Sequence, residues 1–209
     1  MTGRVSSASR RRSRAVESFK TAEDCIGKIE KGMSLFAITR GQFSMIDAIF
    51  VCLDQAGPSA LSLWTWTVAE YEVQCVERLR NDSRITKASL IIDRGARNKN
   101  AAIIEGWKAV FGPESVKYTL NHAKIATIES ERFRLLLRGS MNLNFNPKFE
   151  QLDITEGGPD FDLVRQIENE LPWCGDNPTQ AQLYKSSRVS GAFDAEQLEM
   201  FKGIKTWKK

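Results

Sequence analysis

Apolar residues along this chain recur in two alternating rhythms, short near-continuous runs and longer stretches at helical spacing. Residues 34–39 form a short apolar run that breaks at Gly41 and predicts a strand, and residues 45–55 show helical spacing up to Ala56-Gly57-Pro58. Residues 60–68, rich in Trp, Thr and Leu, predict a second strand, and residues 69–81 alternate Val, Cys and Leu with Glu and Arg at helical period. Residues 87–93 read as a third strand whose apolar centre is that of a sheet covered on both faces. Residues 98–111 predict a helix stopped by Gly112-Pro113, and residues 115–120 a fourth strand. This β-α-β-α-β-α-β order predicts a parallel sheet with right-handed crossovers and helices on both faces.

Beyond residue 120 the pattern changes. Residues 122–129 and 133–138 predict two strands joined by a short polar turn, hence an antiparallel hairpin. Residues 149–155 predict a further strand, and residues 161–171 an amphipathic helix that ends at Pro172. Residues 173–190 give little signal, and residues 193–207 read as a last helix with a basic end. Upstream, Phe19, Ala22, Ile26 and Ile29 give a weak helical pattern over residues 16–31, closed by Gly32. The expected organisation is a basic flexible arm and short helix over residues 1–31, an α/β domain over 32–172, and an extension over 173–209 packed on that domain. No internal repeat is visible.

Charge refines this picture. The net charge is only +4, but residues 1–20 hold Arg4, Arg10, Arg11, Arg12, Arg14 and Lys20 against Glu17, a local +5 that leaves −1 for the remainder. Residues 1–16 are rich in Ser and Arg and too poor in apolar side chains to fold alone. Arg10, Arg11 and Arg12 then read either as a phosphate-binding arm or as a solvated terminus. The four cysteines lack C-x-x-C spacing and have one histidine among them, which speaks against a zinc site. Cys52 and Cys75 lie among apolar residues and read as buried thiols of a reducing compartment. The basic start is followed by a polar stretch, not an apolar signal core, and the apolar run at residues 48–53 is too short to span a bilayer. A cytoplasmic protein with no membrane partner is expected.

The candidate chemistry lies in residues 121–154. His122, the only histidine, is followed by Lys124 and Glu129; Gly139-Ser140-Met141-Asn142 closes the next apolar run, and Glu150 follows. Side chains at i and i+2 share a strand face, so His122 should point with Lys124, and Ser140 with Asn142. Adjacent strands carrying these pairs gather an imidazole, an ammonium, a hydroxyl and an amide, a set suited to phosphate. The same parity puts Glu129 on the opposite face near the turn.

This stretch resembles the phospholipase D superfamily, whose motif is H-x-K, four residues, an acid, and then G-S-x-N downstream. Here it reads His122-x-Lys124, then Glu129, then Gly139-Ser140-x-Asn142, with Glu150 where many members keep a glutamate. The resemblance covers roughly residues 34–171, including the β-α-β order ahead of the motif, and implies a phospholipase D-like mixed sheet flanked by helices with one motif per chain. It departs at Glu129, where the family has aspartate; a supporting role, or weakened activity, follows from that change. The resemblance implies His122 as nucleophile, Lys124 and Asn142 as donors to phosphate oxygens, Ser140 as an orienting or donating hydroxyl, and Glu150 as a carboxylate for the second imidazole nitrogen. No cofactor is implied.

The chemistry agrees with the residue types. A neutral imidazole attacks phosphorus without a metal and gives a phosphohistidine that water hydrolyses. The leaving alkoxide needs a proton donor opposite the nucleophile, and the family draws it from a second motif. With one histidine per chain, that donor comes from a second copy, which predicts a homodimer with the site on its twofold axis. The expected activity is metal-independent cleavage of nucleic acid, DNA before RNA. The rival readings are a catalytically weak or inactive nucleic-acid-binding protein of this fold, and a phospholipase D-type lipid hydrolase.

Further candidates for the nucleic-acid backbone are Arg94, Arg97 and Lys99 after the third strand, and Arg40 and Gln42 after the first, where open α/β sheets bind ligands. A solvated loop is the alternative for each. Trp64 and Trp66 read as core or interface residues before base-stacking ones.

Overall fold

The apolar runs read from the sequence become strands of one eight-stranded sheet. A computed structural model of the chain describes residues 12–17, 20–96, 100–143, 145–171 and 179. Its strands are β1 (Arg12–Val16), β2 (Met33–Arg40), β3 (Ser59–Thr65), β4 (Ile85–Asp93), β5 (Val116–Thr119), β6 (Ile125–Glu129), β7 (Arg134–Gly139) and β8 (Phe149–Glu156). The helices are α1 (Ala22–Ile26), α2 (Met45–Ala56), α3 (Glu70–Asn81), α4 (Ala101–Phe111) and α5 (Pro159–Glu170). The architecture is therefore mixed α/β, with a mixed sheet flanked by helices.

The strand order is β1-β2-β8-β7-β6-β3-β4-β5. β3, β4 and β5 are parallel, as their helical crossovers require. The expectation of one parallel sheet fails at β2, which pairs antiparallel with β8. The meander β6-β7-β8 fills the space between β2 and β3, each strand antiparallel to its neighbours. Local periodicity marks each strand but carries nothing about which distant strand completes its hydrogen bonds.

Strand alternation sorts the layers. Leu35, Leu61, Leu63, Leu90, Leu135 and Leu152 belong to one core with Ile49, Leu53, Val76, Leu79 and Trp107 from α2, α3 and α4. Residues of the other parity meet α5: Arg134 and Arg138 on β7 pair with Asp162 and Asp160, and Phe161 is buried. Glu168 of α5 is also buried, its carboxylate accepting from the Ser62 hydroxyl, the Trp64 indole N–H at 2.6 Å and the Arg165 guanidinium. Lys117 closes the far end of α5, donating to the carbonyls of Glu168 at 2.6 Å and Leu171 at 2.9 Å. Burial holds the Lys117 ammonium below its ordinary pKa range, and the nearby Glu168 charge opposes that shift.

The weak helical pattern over residues 16–31 is realised only at Ala22–Ile26. Thr21 caps it, its hydroxyl accepting from the Asp24 N–H at 3.1 Å, and Gly27 ends it at φ 57. Ahead of it, Arg12–Val16 forms an edge strand parallel to β2. Arg14 donates to the carbonyls of Cys25 and Ile26, so this cation satisfies the last carbonyls of α1. The helix predicted at 193–207 and the rest of 173–209, apart from Thr179, lie outside the described residues.

Candidate active site

The C-terminal ends of β2, β3, β4, β5 and β7 and the N-terminal ends of β6 and β8 share one edge of the sheet. His122 and Lys124 precede β6 at that edge, Gly139 and Ser140 end β7, and Glu150 begins β8. β6 is shorter than the strand predicted over 122–129, so His122 and Lys124 stand in a loop and strand alternation does not aim them. The two side chains nevertheless meet. Lys124 Nζ lies 3.2 Å from Nδ1 and 3.4 Å from Nε2 of His122, and donates to the His122 carbonyl at 2.9 Å. The ammonium thus lies against both ring nitrogens at once.

Asn121 shapes that loop. Its side chain is buried; Nδ2 donates to the Thr65 carbonyl at 3.0 Å, and Oδ1 accepts from the Ala123 N–H at 2.9 Å. The Asn121 backbone N–H donates to Asp93 Oδ2 at 2.9 Å, while Asp93 Oδ1 accepts from the Gly95 N–H at 2.7 Å. One carboxylate thus fastens both the turn after β4 and the residue before the imidazole. Sequence reasoning assigned no role to either residue. An Asp that ends an apolar strand two residues before a Gly is a local turn signal that finds the first.

The second motif lies one strand over. The Gly139 N–H donates to the Lys124 carbonyl at 3.3 Å, which carries the β6–β7 pairing one step past β6. A Cβ at Gly139 would lie 2.0 Å from the Gln151 carbonyl oxygen, so glycine is needed for the close approach of β7 and β8. The Ser140 N–H donates to that carbonyl at 3.2 Å, and the Ser140 hydroxyl accepts from the Gln151 N–H at 2.9 Å while donating to Glu150 Oε2. Asn146 Nδ2 donates to Glu150 Oε1 at 2.8 Å. The Glu150 carboxylate therefore orients Ser140 and Asn146, and the hydrogen bond to imidazole implied by the resemblance is not formed. The Asn142 and Leu143 carbonyls accept from Met45 and Ile46 at 3.4 Å each, seating this loop on the first turn of α2. The Asn142 amide is half-buried and makes no hydrogen bond among the described residues.

Glu129 lies at the other end of β6, five residues from Lys124 and thus ~16 Å away along the strand. It pairs with Arg165 of α5 at 3.5 Å, a supporting contact remote from the imidazole. Arg40, at the same edge as His122, pairs with Glu17 at 2.6 Å and lies over the Phe149 ring, 5.3 Å from its centroid. The Gln42 side-chain oxygen accepts from the Arg40 N–H, so this residue shapes the turn after β2. Arg94 is exposed directly after β4. Arg12 begins β1, at the opposite edge from His122, and pairs with Glu30. Arg10, Arg11, Arg97 and Lys99 lie outside the described residues.

The two tryptophans part ways. Trp64 is half-buried against Glu168, as a core residue should be. Trp66, one residue past β3, is 46% exposed, and its ring centroid lies 6.3 Å from that of His122. The alternation that groups them in sequence ends with the strand at Thr65.

Among the described residues, no cluster of three or more His, Cys, Asp or Glu side chains is placed to hold a metal ion, and no helix is long and apolar enough to cross a membrane. No protein-family profile and no curated protein matches the chain. Eleven chains of solved structures match. One is a polyphosphate kinase from Porphyromonas gingivalis, 16% identical with a TM-score of 0.46, over 78% of this chain and 26% of that one. This chain thus spans about a quarter of that protein's length. A likeness this slight assigns neither activity nor substrate.

Proposed function

We propose that the chain is a phospholipase D-like, metal-independent phosphodiesterase that cleaves nucleic acid through a phosphohistidine at a dimer interface. The observation that carries this reading is the apposition of Lys124 Nζ to both ring nitrogens of His122 on an exposed edge, with Ser140 one strand away. A nucleophile and a cation that share one small space suit a phosphate: the imidazole attacks phosphorus while the ammonium meets the charge that grows on the non-bridging oxygens. The new bond is P–N, and the bond that breaks is P–O to the departing alkoxide. In this reading His122 of the partner subunit protonates that alkoxide. Water then attacks phosphorus and passes a proton to His122 of the partner subunit, the P–N bond breaks, and both imidazoles return to their starting states.

The remaining residues have supporting parts. Ser140, held by Glu150 and the Gln151 N–H, is a second donor for phosphate, and the uncommitted Asn142 amide a third. Asn121 and Asp93 hold the loop that presents His122. In this reading Glu129 takes no part in bond making and serves the contact between β6 and α5 through Arg165.

Cleavage of plasmid and oligonucleotide substrates in EDTA is the test, with label retained on His122 after an alkaline detergent quench as the direct readout. Activity in EDTA that disappears in His122→Ala is expected, together with a loss of roughly 10²–10³ in kcat for Lys124→Ala. The competing reading, binding without catalysis, draws on Glu150, which leaves the imidazole without a carboxylate to fix its tautomer. Unchanged DNA affinity in His122→Ala and no cleavage by the unmodified dimer would decide for that alternative.

A further inference from the structure

We infer that Trp66 is a stacking platform for the nucleobase beside the attacked phosphate, and hence that the substrate on this edge is single-stranded nucleic acid. The inference rests on the phosphodiester reading of His122. Trp66 is 46% exposed, with its ring 6.3 Å from the imidazole and tilted 48° to it. Packing does not account for a tryptophan there. Trp64, of the same parity, spends its indole N–H on Glu168 beneath α5, whereas Trp66 stands beyond the end of β3 with no hydrogen bond among the described residues.

The surroundings favour a nucleic acid over an apolar partner. Lys124 and Arg94 lie at the same edge, Lys124 just before β6 and Arg94 just after β4, the two strands that flank β3. Three strand spacings from Trp66, ~14 Å in the hydrogen-bonding direction, Phe149 stands 70% exposed under the Arg40 guanidinium. His122 lies between these two exposed rings. An edge that interleaves aromatic rings with cations is the pattern by which proteins hold single strands, since every base has a π-face and every nucleotide a charge. A base inside a duplex is already stacked on its neighbours and reaches Trp66 only if it is flipped out.

The experiment uses the full chain carrying His122→Ala, so that binding is read without cleavage. The probes are fluorescein-labelled single-stranded oligodeoxythymidines, intact or with one abasic position, and a duplex of the same length. Trp66→Ala should weaken the intact single strand by about 5- to 150-fold, and Trp66→Phe should restore most of that loss. The abasic probe should bind the Trp66 protein more weakly, and Trp66→Ala should no longer distinguish abasic from intact. Equal affinity of Trp66→Ala for the intact probe overturns the inference. So does equal binding of duplex and single strand, or a shift to half the mass of the Trp66 protein in light scattering, which would make Trp66 a contact between copies. Trp66-dependent binding together with no cleavage by the parent protein that retains His122 would instead sink the phosphodiesterase reading, so the two failures are distinguishable.

Discussion

The carboxylate of Asp93 accepts the backbone N–H of Asn121 at 2.9 Å, and through it the end of β4 determines where the chain turns before His122. The imidazole is thus aimed by a buried polar clasp and not by a strand. Asn121 completes the clasp by bonding the Thr65 carbonyl and the Ala123 N–H.

Removing the clasp should cost more than a surface polar change. Asn121→Ala strands the Thr65 carbonyl and the Ala123 N–H, an expected loss of roughly 1–3 kcal/mol by urea denaturation. Asn121→Asp should be worse at neutral pH, because a buried carboxylate would face the Thr65 and Ile91 carbonyls and the Asp93 charge. Burial and those neighbours would raise the folded-state pKa of the new group above its unfolded value of ~3.9. The deficit should therefore vanish as pH falls below ~4 and grow as pH rises. An Asn121→Asp protein as stable as the parent at pH 7 would contradict this account.

Gly139→Ala addresses the contact between the two halves of the motif. Its Cβ would fall 2.0 Å from the Gln151 carbonyl oxygen, a backbone atom that cannot swing aside. A loss of roughly 1–3 kcal/mol is expected. It should be accompanied by faster amide exchange at Ser140 and Gln151, whose mutual hydrogen bonds depend on that approach.

Thr39 predicts the opposite sign. Its Oγ1 is buried on β2, in register with Glu150, and has no hydrogen-bond partner among the described residues. Thr39→Val keeps the β-branched shape and removes the desolvated hydroxyl, so a gain of about 1 kcal/mol is expected in chemical denaturation. A loss of stability would mean that this hydroxyl has a partner in solution.

Burial raises the Cys52 thiol to about 12, well above an ordinary thiol of ~8.5. Both states keep the proton below pH ~8.5, so stability there is independent of this group. Above it the unfolded chain releases a proton that the native state retains, and stability should fall by about 1.4 kcal/mol per pH unit until the folded value is reached. Cys52→Ala should reduce the slope of denaturation midpoints between pH 7.5 and 10, leaving the share of Cys25, whose thiol burial raises to about 11; an unchanged slope would contradict the assignment to Cys52.

These contrasts trace where the sequence is informative. Helices α2 to α5 and strands β2 to β8 were legible because each buries apolar residues at its own period, as Ile49 and Leu53 do on α2 and Leu61 and Leu63 on β3. β1 was not: all but Val16 of its residues are exposed, and it is held by backbone pairing with β2. The candidate residues could be grouped from the sequence, but not their geometry. His122 and Lys124 meet through a loop bend, and Glu150 bonds Ser140 and Asn146, because buried backbone groups at 121–124 and 146–151 had to find partners. Trp66 was hidden by its likeness to Trp64, since nothing in the pattern shows that the strand ends between them.

The insertion of β6-β7-β8 between β2 and β3 also sets an order of assembly. Arg40 waits 109 residues along the chain for Phe149, its partner in register on β8. A ribosome-bound chain that has completed β5 can close the parallel trio with its helices, yet β2 then has only β1 beside it. Such distant pairing makes loop closure costly and folding slow. The edge that gathers Lys124, Ser140 and Glu150 is completed by β6, β7 and β8, all of which follow β5 in the chain. The His122 loop therefore gains its full set of neighbours only once synthesis has passed β8, the last strand among the described residues.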